Sequence, residues 1–600
     1  MAPALRDYLE IRTAAPSSFS PDGSKVLVQS NLPGTPQLYR VPRQGGPLAQ
    51  VTALEEPVGG RYLPTTADVL LWMDQGGNER HQLYLAHEDG SGLRPLVHRP
   101  EFIHRVGGVA RDGSLVSFAS NARNGVDFDV FVLPLAGDGT DGQEPRCVFD
   151  LGGWCQPSGF SPDGRWLAVV RLTERNGDND LYLVDLVLGD VRHVSPHEDE
   201  ASFSGPSWLA DSSGFYFSTD SGRDRTAIAR YELATSSWAY VLERDWDASC
   251  AMDWPGTRLL VVTNEEGCTR AEVLDPGTFE SQGEVVLPGR GVADFTFSAD
   301  GRWLAFSFTS PLEPGDVWVY DCEGRGTTRL TASPRAVPAE EMVEPELHRF
   351  ASFDGEAVPV FVYLPRHRTA DPVPVVVMVH GGPEAQYRPV FNPLVQYFVA
   401  RGYAVAAPNV RGSTGYGKRY HHLDDVEKRL DAVADLACLH DWLAADGRFD
   451  PGRAALWGAS YGGYLVLAGL AFQPERWAAG VDVVGISSLV TFLENTSVWR
   501  RAFRQREYGS LESDRDFLVA ASPITHMERI RAPLFVVHGA NDPRVPVGEA
   551  EQIHRVLRDK GVRSELVVYP DEGHGLARLA NRLDAYPRAA DFLDEVLAPS

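Results

Sequence analysis

Lysine is almost missing from this sequence: Lys25, Lys418, Lys428 and Lys560 are the only four in 600 residues. Arginine supplies the rest of the basic charge, a matter of codon usage that no difference between the two side chains demands. Positive charge as a whole is also short, with 56 basic against 82 acidic residues and a formal net charge of -26. That balance argues against the basic patch a nucleic-acid or anionic-membrane surface would need, so neither partner is expected. The six cysteines (Cys147, Cys155, Cys250, Cys268, Cys322, Cys438) are scattered and form no C-x-x-C pair. Their spacing suggests neither a disulfide framework nor a zinc ribbon, and fits a reducing cytoplasm. No secretory signal is legible, because Arg6, Asp7, Glu10 and Arg12 stand where its apolar core would be. The uncharged run 454–472 is long enough to register as a membrane span, but its glycine-rich centre reads better as a buried strand followed by a buried helix. A soluble, cytoplasmic protein without metal or organic cofactor is expected, and a homo-oligomer is left open.

What the chain does contain is two halves with different periods. Phe19-Ser20-Pro21-Asp22-Gly23 recurs as Phe160-Ser161-Pro162-Asp163-Gly164 and nearly as Phe297-Ser298-Ala299-Asp300-Gly301, each followed by an apolar, strand-like run. Weaker versions fall between, at Thr65–Leu71, Ala110–Gly113, Trp208–Gly214 and Trp254–Gly256. Seven starts about 46 residues apart match the length of a four-stranded blade and predict an all-β, seven-bladed propeller over residues 1–330. The first ~10 residues are free to pack elsewhere. Residues 331–345, rich in proline and without periodicity, read as a linker. Over 346–600 apolar strands alternate with helical stretches, which predicts a doubly wound, mostly parallel sheet of the α/β-hydrolase kind.

Within that second half, Gly458-Ala459-Ser460-Tyr461-Gly462 lies between an apolar strand and an apolar helix, the setting of a nucleophile elbow. The partners of a serine nucleophile follow in order. Leu534–Val537 empties into a loop carrying Asp542, and Leu566–Tyr569 into one carrying His574. A serine hydroxyl needs a base to take its proton, and a neutral imidazole can do so; the carboxylate then fixes the ring's tautomer and stabilises the imidazolium. Asp571 and Glu572 flank His574 as alternative acids. The oxyanion formed on attack needs two N–H donors. Tyr461 supplies one, and His380-Gly381-Gly382-Pro383 the other, with Gly382 preferred to Gly381.

These motifs together resemble the catalytic domain of the prolyl oligopeptidase family of serine peptidases: His380-Gly381-Gly382-Pro383, the run Asn409–Gly417, Gly458–Tyr464, His538–Asp542 and Gly573-His574-Gly575. Within it, His380 and the Ser-Tyr-Gly-Gly-Tyr elbow are more similar to the acylaminoacyl-peptidase and bacterial dipeptidyl-aminopeptidase branches than to the prolyl endopeptidases, which carry tyrosine where His380 stands. The resemblance implies a propeller that admits only short peptides. It also implies that the insertion 491–506 lines the specificity pocket, with Phe492, Trp499 and Phe503 as apolar walls and Arg500, Arg501 or Arg504 gripping a substrate carbonyl or carboxylate. His380 joins them as a substrate-binding candidate. Asn78-Glu79 and Glu265-Glu266 are candidate anchors for a free amino group. The expected reaction is acylation of Ser460 by a short peptide and hydrolysis of the ester, declining below about pH 6.5 as the base protonates. An esterase or small-molecule amidase on the same residues, and a propeller scaffold without activity, are the alternatives.

Overall fold

The computed structural model describes residues 3–135, 144–366 and 372–598. Seven four-stranded antiparallel sheets follow one another between Ala14 and Arg329, each built from one continuous stretch of chain. The repeated Ser-Pro-Asp-Gly is the turn between the first two strands of a blade. Ser20 Oγ donates to Asp22 Oδ1 at 2.6 Å and accepts the Lys25 N–H at 3.0 Å, while Gly23 turns the chain at φ +67°. Ser161, Asp163 and Gly164 repeat this, as do Ser298, Asp300 and Gly301. Only a residue tolerant of the left-handed region closes such a turn cheaply, which is why the glycine recurs. The ring closes without a shared strand. Ala14, Phe19, Val26, Val28 and Val41 of the first blade pack on Ala305, Val317, Val319 and Leu330 of the seventh, so its seam is held by apolar burial.

The second half is an eight-stranded sheet. Glu346–Ala351 and Ala357–Tyr363 form an antiparallel edge, and the latter pairs antiparallel with Ala404–Pro408. Val373–Val379, Phe449–Ala459, Ala479–Val483, Leu534–Gly539 and Ser564–Tyr569 then continue in parallel. One face is covered by helices Arg429–Asp446 and Tyr461–Phe472, the other by Pro393–Ala400 and Leu579–Leu597. The run 454–472 is thus split between a central strand and the helix after it, and among the described residues no helix is long and apolar enough to cross a membrane.

The chain ties its two halves together at both of its crossings. Leu5, Tyr8 and Leu9 of the short helix Leu5–Leu9 are buried against the hydrolase helices, and Val337 and Met342 of the 331–345 connection join the same core. All six cysteines are free.

Candidate active site

Strand Phe449–Ala459 ends at Ser460, which takes φ +59° and ψ -119°, and helix Tyr461–Phe472 starts at the next residue. The turn is tight enough that only glycine fits beside it: a Cβ on Gly458 would lie 2.2 Å from the Gly462 carbonyl oxygen, and one on Gly462 would lie 2.3 Å from that of Val379. The strain is held by the sheet, since the Ser460 N–H donates to the Val483 carbonyl at 2.9 Å.

The loops after the last two parallel strands, Leu534–Gly539 and Ser564–Tyr569, bring their residues to this serine. Ser460 Oγ lies 2.9 Å from His574 Nε2, and His574 Nδ1 lies 2.7 Å from Asp542 Oδ2. The other Asp542 oxygen accepts the N–H groups of Arg544 and Val545 at 2.8 and 3.0 Å, so the carboxylate is fixed independently of the ring. His538 stands behind it, 3.6 Å from Asp542 Oδ2; its Nε2 donates to the Val545 carbonyl, and burial pushes its pKa down so that it stays neutral. Neither alternative acid touches His574. Glu572 is taken up by the N–H groups of Ala577 and Arg578 and by Asn581, and Asp571 by Asn581 and Arg578.

Facing the elbow is the loop 380–383. A Cβ on Gly381 would lie 3.3 Å from that of Ser460, which sets the loop's backbone against this serine. His380 Nδ1 donates to the Gly381 carbonyl at 2.8 Å, and Nε2 lies 2.8 Å from Ser413 Oγ. Burial lowers the pKa of this ring and keeps it neutral. Because a trans peptide is planar, holding the Gly381 carbonyl also fixes the direction of the Gly382 N–H. Both nitrogens of His380 are therefore used on the protein itself, and it serves the loop rather than a substrate.

The insertion expected to line a pocket is divided by the structure. Phe492 is buried in the hydrolase core, edge-on to Tyr508 at 5.5 Å, and forms no wall: the short helix Leu489–Asn495 turns it inward. Trp499 and Phe503, on helix Val498–Tyr508, pack across to the propeller, Trp499 against Phe128 and Trp154 and Phe503 on Trp154. Arg501 turns back to the Glu494 carbonyl. Arg504, only 8% exposed, reaches the loop beside Ser460, with Nη1 3.4 Å from the Gly382 carbonyl oxygen and Nη2 3.5 Å from Glu384. Arg500 faces the same way; burial first, then the charges of Arg504 and Arg544, pull its pKa down to about 9, while Glu79 and Asp542 act against them.

The two acidic candidates on the propeller part company. Glu266 pairs with Arg349 at the antiparallel edge of the sheet. Glu79 reaches the site: it bonds Arg544, two residues from Asp542, and with His574 it lines a cavity of about 390 Å³ between the halves. Its second oxygen, Oε2, is buried without a partner.

A second charged group lies behind the elbow. Arg429, fully buried, bonds Asp424 and Glu507, and the Tyr461 hydroxyl donates to Asp424 at 3.0 Å. Asn176 of the propeller donates to Asp425 and Glu507, which makes this cluster part of the domain contact. No sequence motif announced it, since its members are spread from residue 176 to residue 507.

Residues 389–600 match the model of the prolyl oligopeptidase family. The chain is 27% identical to dipeptidyl aminopeptidase BIII of Pseudoxanthomonas mexicana over 94% of its own length and 84% of that protein's. It is 28% identical to the acylamino-acid-releasing enzyme of Sus scrofa over 37% of this chain and 31% of that one. Among solved structures, a puromycin-hydrolyzing peptidase of Mycobacterium tuberculosis superposes with a TM-score of 0.86 at 20% identity, covering 100% of this chain and 96% of the other. At that identity the likeness speaks for the fold.

Proposed function

We propose that this chain, which belongs to the prolyl oligopeptidase family of serine peptidases, cleaves short peptides by acylating Ser460, with His574 as the base and Asp542 as its partner. The observation that carries the reading is the continuous hydrogen-bonded path from Ser460 Oγ through His574 to Asp542, on a serine held out by a strained turn. As Oγ attacks a peptide carbonyl, its proton passes to Nε2, and the imidazolium is stabilised by Asp542 and then protonates the leaving amine. The first amide of a helix has no intrahelical acceptor, so the Tyr461 N–H is available to the oxyanion, and the Gly382 N–H is the second donor. Water, deprotonated by the same imidazole, then releases the acyl group.

Size selection follows from the enclosure. Gly76 and Gly77 of the propeller touch Asn541 and Gly573, next in sequence to Asp542 and His574, so a folded protein has no direct approach from that side. A free amino terminus on the substrate is the reading Glu79 favours, since this carboxylate lines the cavity shared with His574 and its Oε2 has no partner of its own. We place the activity in the cytoplasm.

Two measurements test this. A fluorophosphonate should label the protein at one site, and Ser460→Ala should abolish both labelling and peptide hydrolysis, a loss of about 10⁶ in kcat. Peptide anilides should be turned over at rates comparable to simple aryl esters; a peptide rate lower by several orders of magnitude would replace this reading with an esterase.

A further inference from the structure

Helix Val498–Tyr508 and the propeller share an aromatic platform edged with guanidinium groups. Arg105 lies 4.1 Å over the ring of Trp154, Arg500 lies 5.1 Å over that of Trp499, and the two indoles are 5.3 Å apart across the domain interface. Arg504 extends the row, 4.1 Å over Phe503, which stacks on Trp154. Of the carboxylates nearby, Glu384 is taken by Arg504 and Asp542 by His574 and two backbone amides, while Glu79 bonds Arg544 through one oxygen and keeps Oε2 unpartnered. Arg105 and Arg500 are left over. Among the described residues neither guanidinium has a hydrogen-bond acceptor or a direct ion pair, both Nε atoms are buried, and Glu79 acts on both only as a nearby charge.

A buried guanidinium that lacks an acceptor is unfavourable until something supplies one, and its planar fork fits a carboxylate in two parallel hydrogen bonds. The aromatic rings hold both groups in place before anything binds, which lowers the ordering cost of capture. Position narrows the ligand further. Arg504 in the same row reaches the Gly382 carbonyl beside Ser460, and the helix that carries Arg500 starts against the loop after Asp542, where the Ser497 N–H donates to the Pro543 carbonyl at 3.3 Å.

We infer that Arg105 and Arg500, joined by the Trp154–Trp499 pair, form an anion subsite next to Ser460 that takes a carboxylate of the peptide substrate. The inference rests on the peptidase reading above. A carboxylate near the scissile bond of a short peptide comes either from its free C-terminus or from an aspartate or glutamate side chain, and the subsite accepts the same group from both.

Four peptides of one sequence separate these sources: free acid or C-terminal amide, each with Asp or Asn beside the scissile bond. We expect one carboxylate-bearing member of a pair to exceed its neutral partner in kcat/KM by about tenfold to a hundredfold. A preference for acid over amide assigns the C-terminus, and one for Asp over Asn assigns the side chain. In Arg105→Gln and Arg500→Gln the same ratio should fall toward one, and a ratio cancels damage common to both substrates. Calorimetric titration of Ser460→Ala with acid and amide should show the same preference without turnover. Equal cleavage of all four peptides by the unmodified enzyme overturns the subsite and leaves the peptidase reading intact, and so does a preference that survives both arginine variants. Cleavage of none of them, with aryl esters still hydrolysed, overturns the peptidase reading instead.

Discussion

Two buried charge clusters meet at Ser460 and Tyr461, and they resolve the cost of burial in opposite ways. On the side of the Ser460 hydroxyl, guanidinium groups outnumber the carboxylates free to meet them, and Arg105 and Arg500 keep unused donors. On the side of the Tyr461 hydroxyl, Asp424, Asp425 and Glu507 surround Arg429, and Asn176 and His422 bond the acids that remain. The first group is incomplete on its own and stands next to the reactive atoms. The second is tied together from within by ion pairs and hydrogen bonds, although Asp424 Oδ1, Arg429 Nε and Asn176 Oδ1 stay unpartnered, and it lies between the elbow, helix Arg429–Asp446 and the propeller. Guanidinium groups left without a direct acid partner beside Ser460 point to a ligand, whereas a cation paired with its acids behind the elbow points to a scaffold.

This contrast predicts that variants on the hydroxyl side lower turnover while the fold persists, and that variants behind the elbow unfold it. The largest effect belongs to Asp542→Asn. It keeps the shape of the residue but removes the charge that, in the proposed mechanism, stabilises the imidazolium, and should reduce kcat by about 10⁴ with little change in the unfolding midpoint. A loss of less than tenfold would remove Asp542 from the mechanism. Next is Arg429→Met, which strands Asp424 and Glu507 without their cation. Breaking a buried pair in this way costs about 3–5 kcal/mol, to be read as a shift of the denaturant transition. Adding Glu507→Gln should return part of that loss, because one orphan charge is then gone. If the single variant is as stable as the parent, the cluster is not a scaffold.

The same contrast explains what could be read from the sequence. The propeller was legible because each blade repeats a local solution: Ser20, Asp22 and Gly23 make their turn among themselves, and so do Ser161, Asp163 and Gly164. Ser460, Asp542 and His574 were legible as a bonded group because each follows a parallel strand at the same end of the sheet, so that chain order stands in for geometry. Phe492 misled because apolar residues that line a pocket and those that fill a core look alike in one dimension; only the turn of a short helix sends it inward. Trp499 is a related case, since its neighbours Phe128 and Trp154 lie in the other half of the chain. Arg500 was recognised as a candidate, but Arg105 was not. Nothing local distinguishes it from other arginines, and its significance arises only when the propeller docks.

Asp482 is a third arrangement, and it sharpens the comparison most finely. It lies on strand Ala479–Val483 beside the elbow, fully buried, with no well-formed hydrogen bond to either carboxylate oxygen and only the backbone of Gly463 and Gly485 pressed against it. Lacking the cation that Asp424 has, it keeps its proton: burial, helped by the charge of Glu549, raises its pKa from 3.8 to about 7 although an N–H of Gly485 acts the other way. Between these two values the folded state binds more protons than the unfolded chain. Its contribution to stability is therefore fully present below about pH 4 and is lost as pH rises through about 7. Asp482→Asn removes this term, since an amide does not titrate. Compared with the variant, the parent should lose on the order of 3 kcal/mol between pH 4.5 and pH 7.5, read from denaturant curves of both proteins at both pH values. The difference between them, rather than either stability alone, carries the result, because every other titrating group is common to the pair. A difference that does not change with pH would mean that Asp482 is ionised in the fold, and that a cation reaches it from a direction the present contacts do not include.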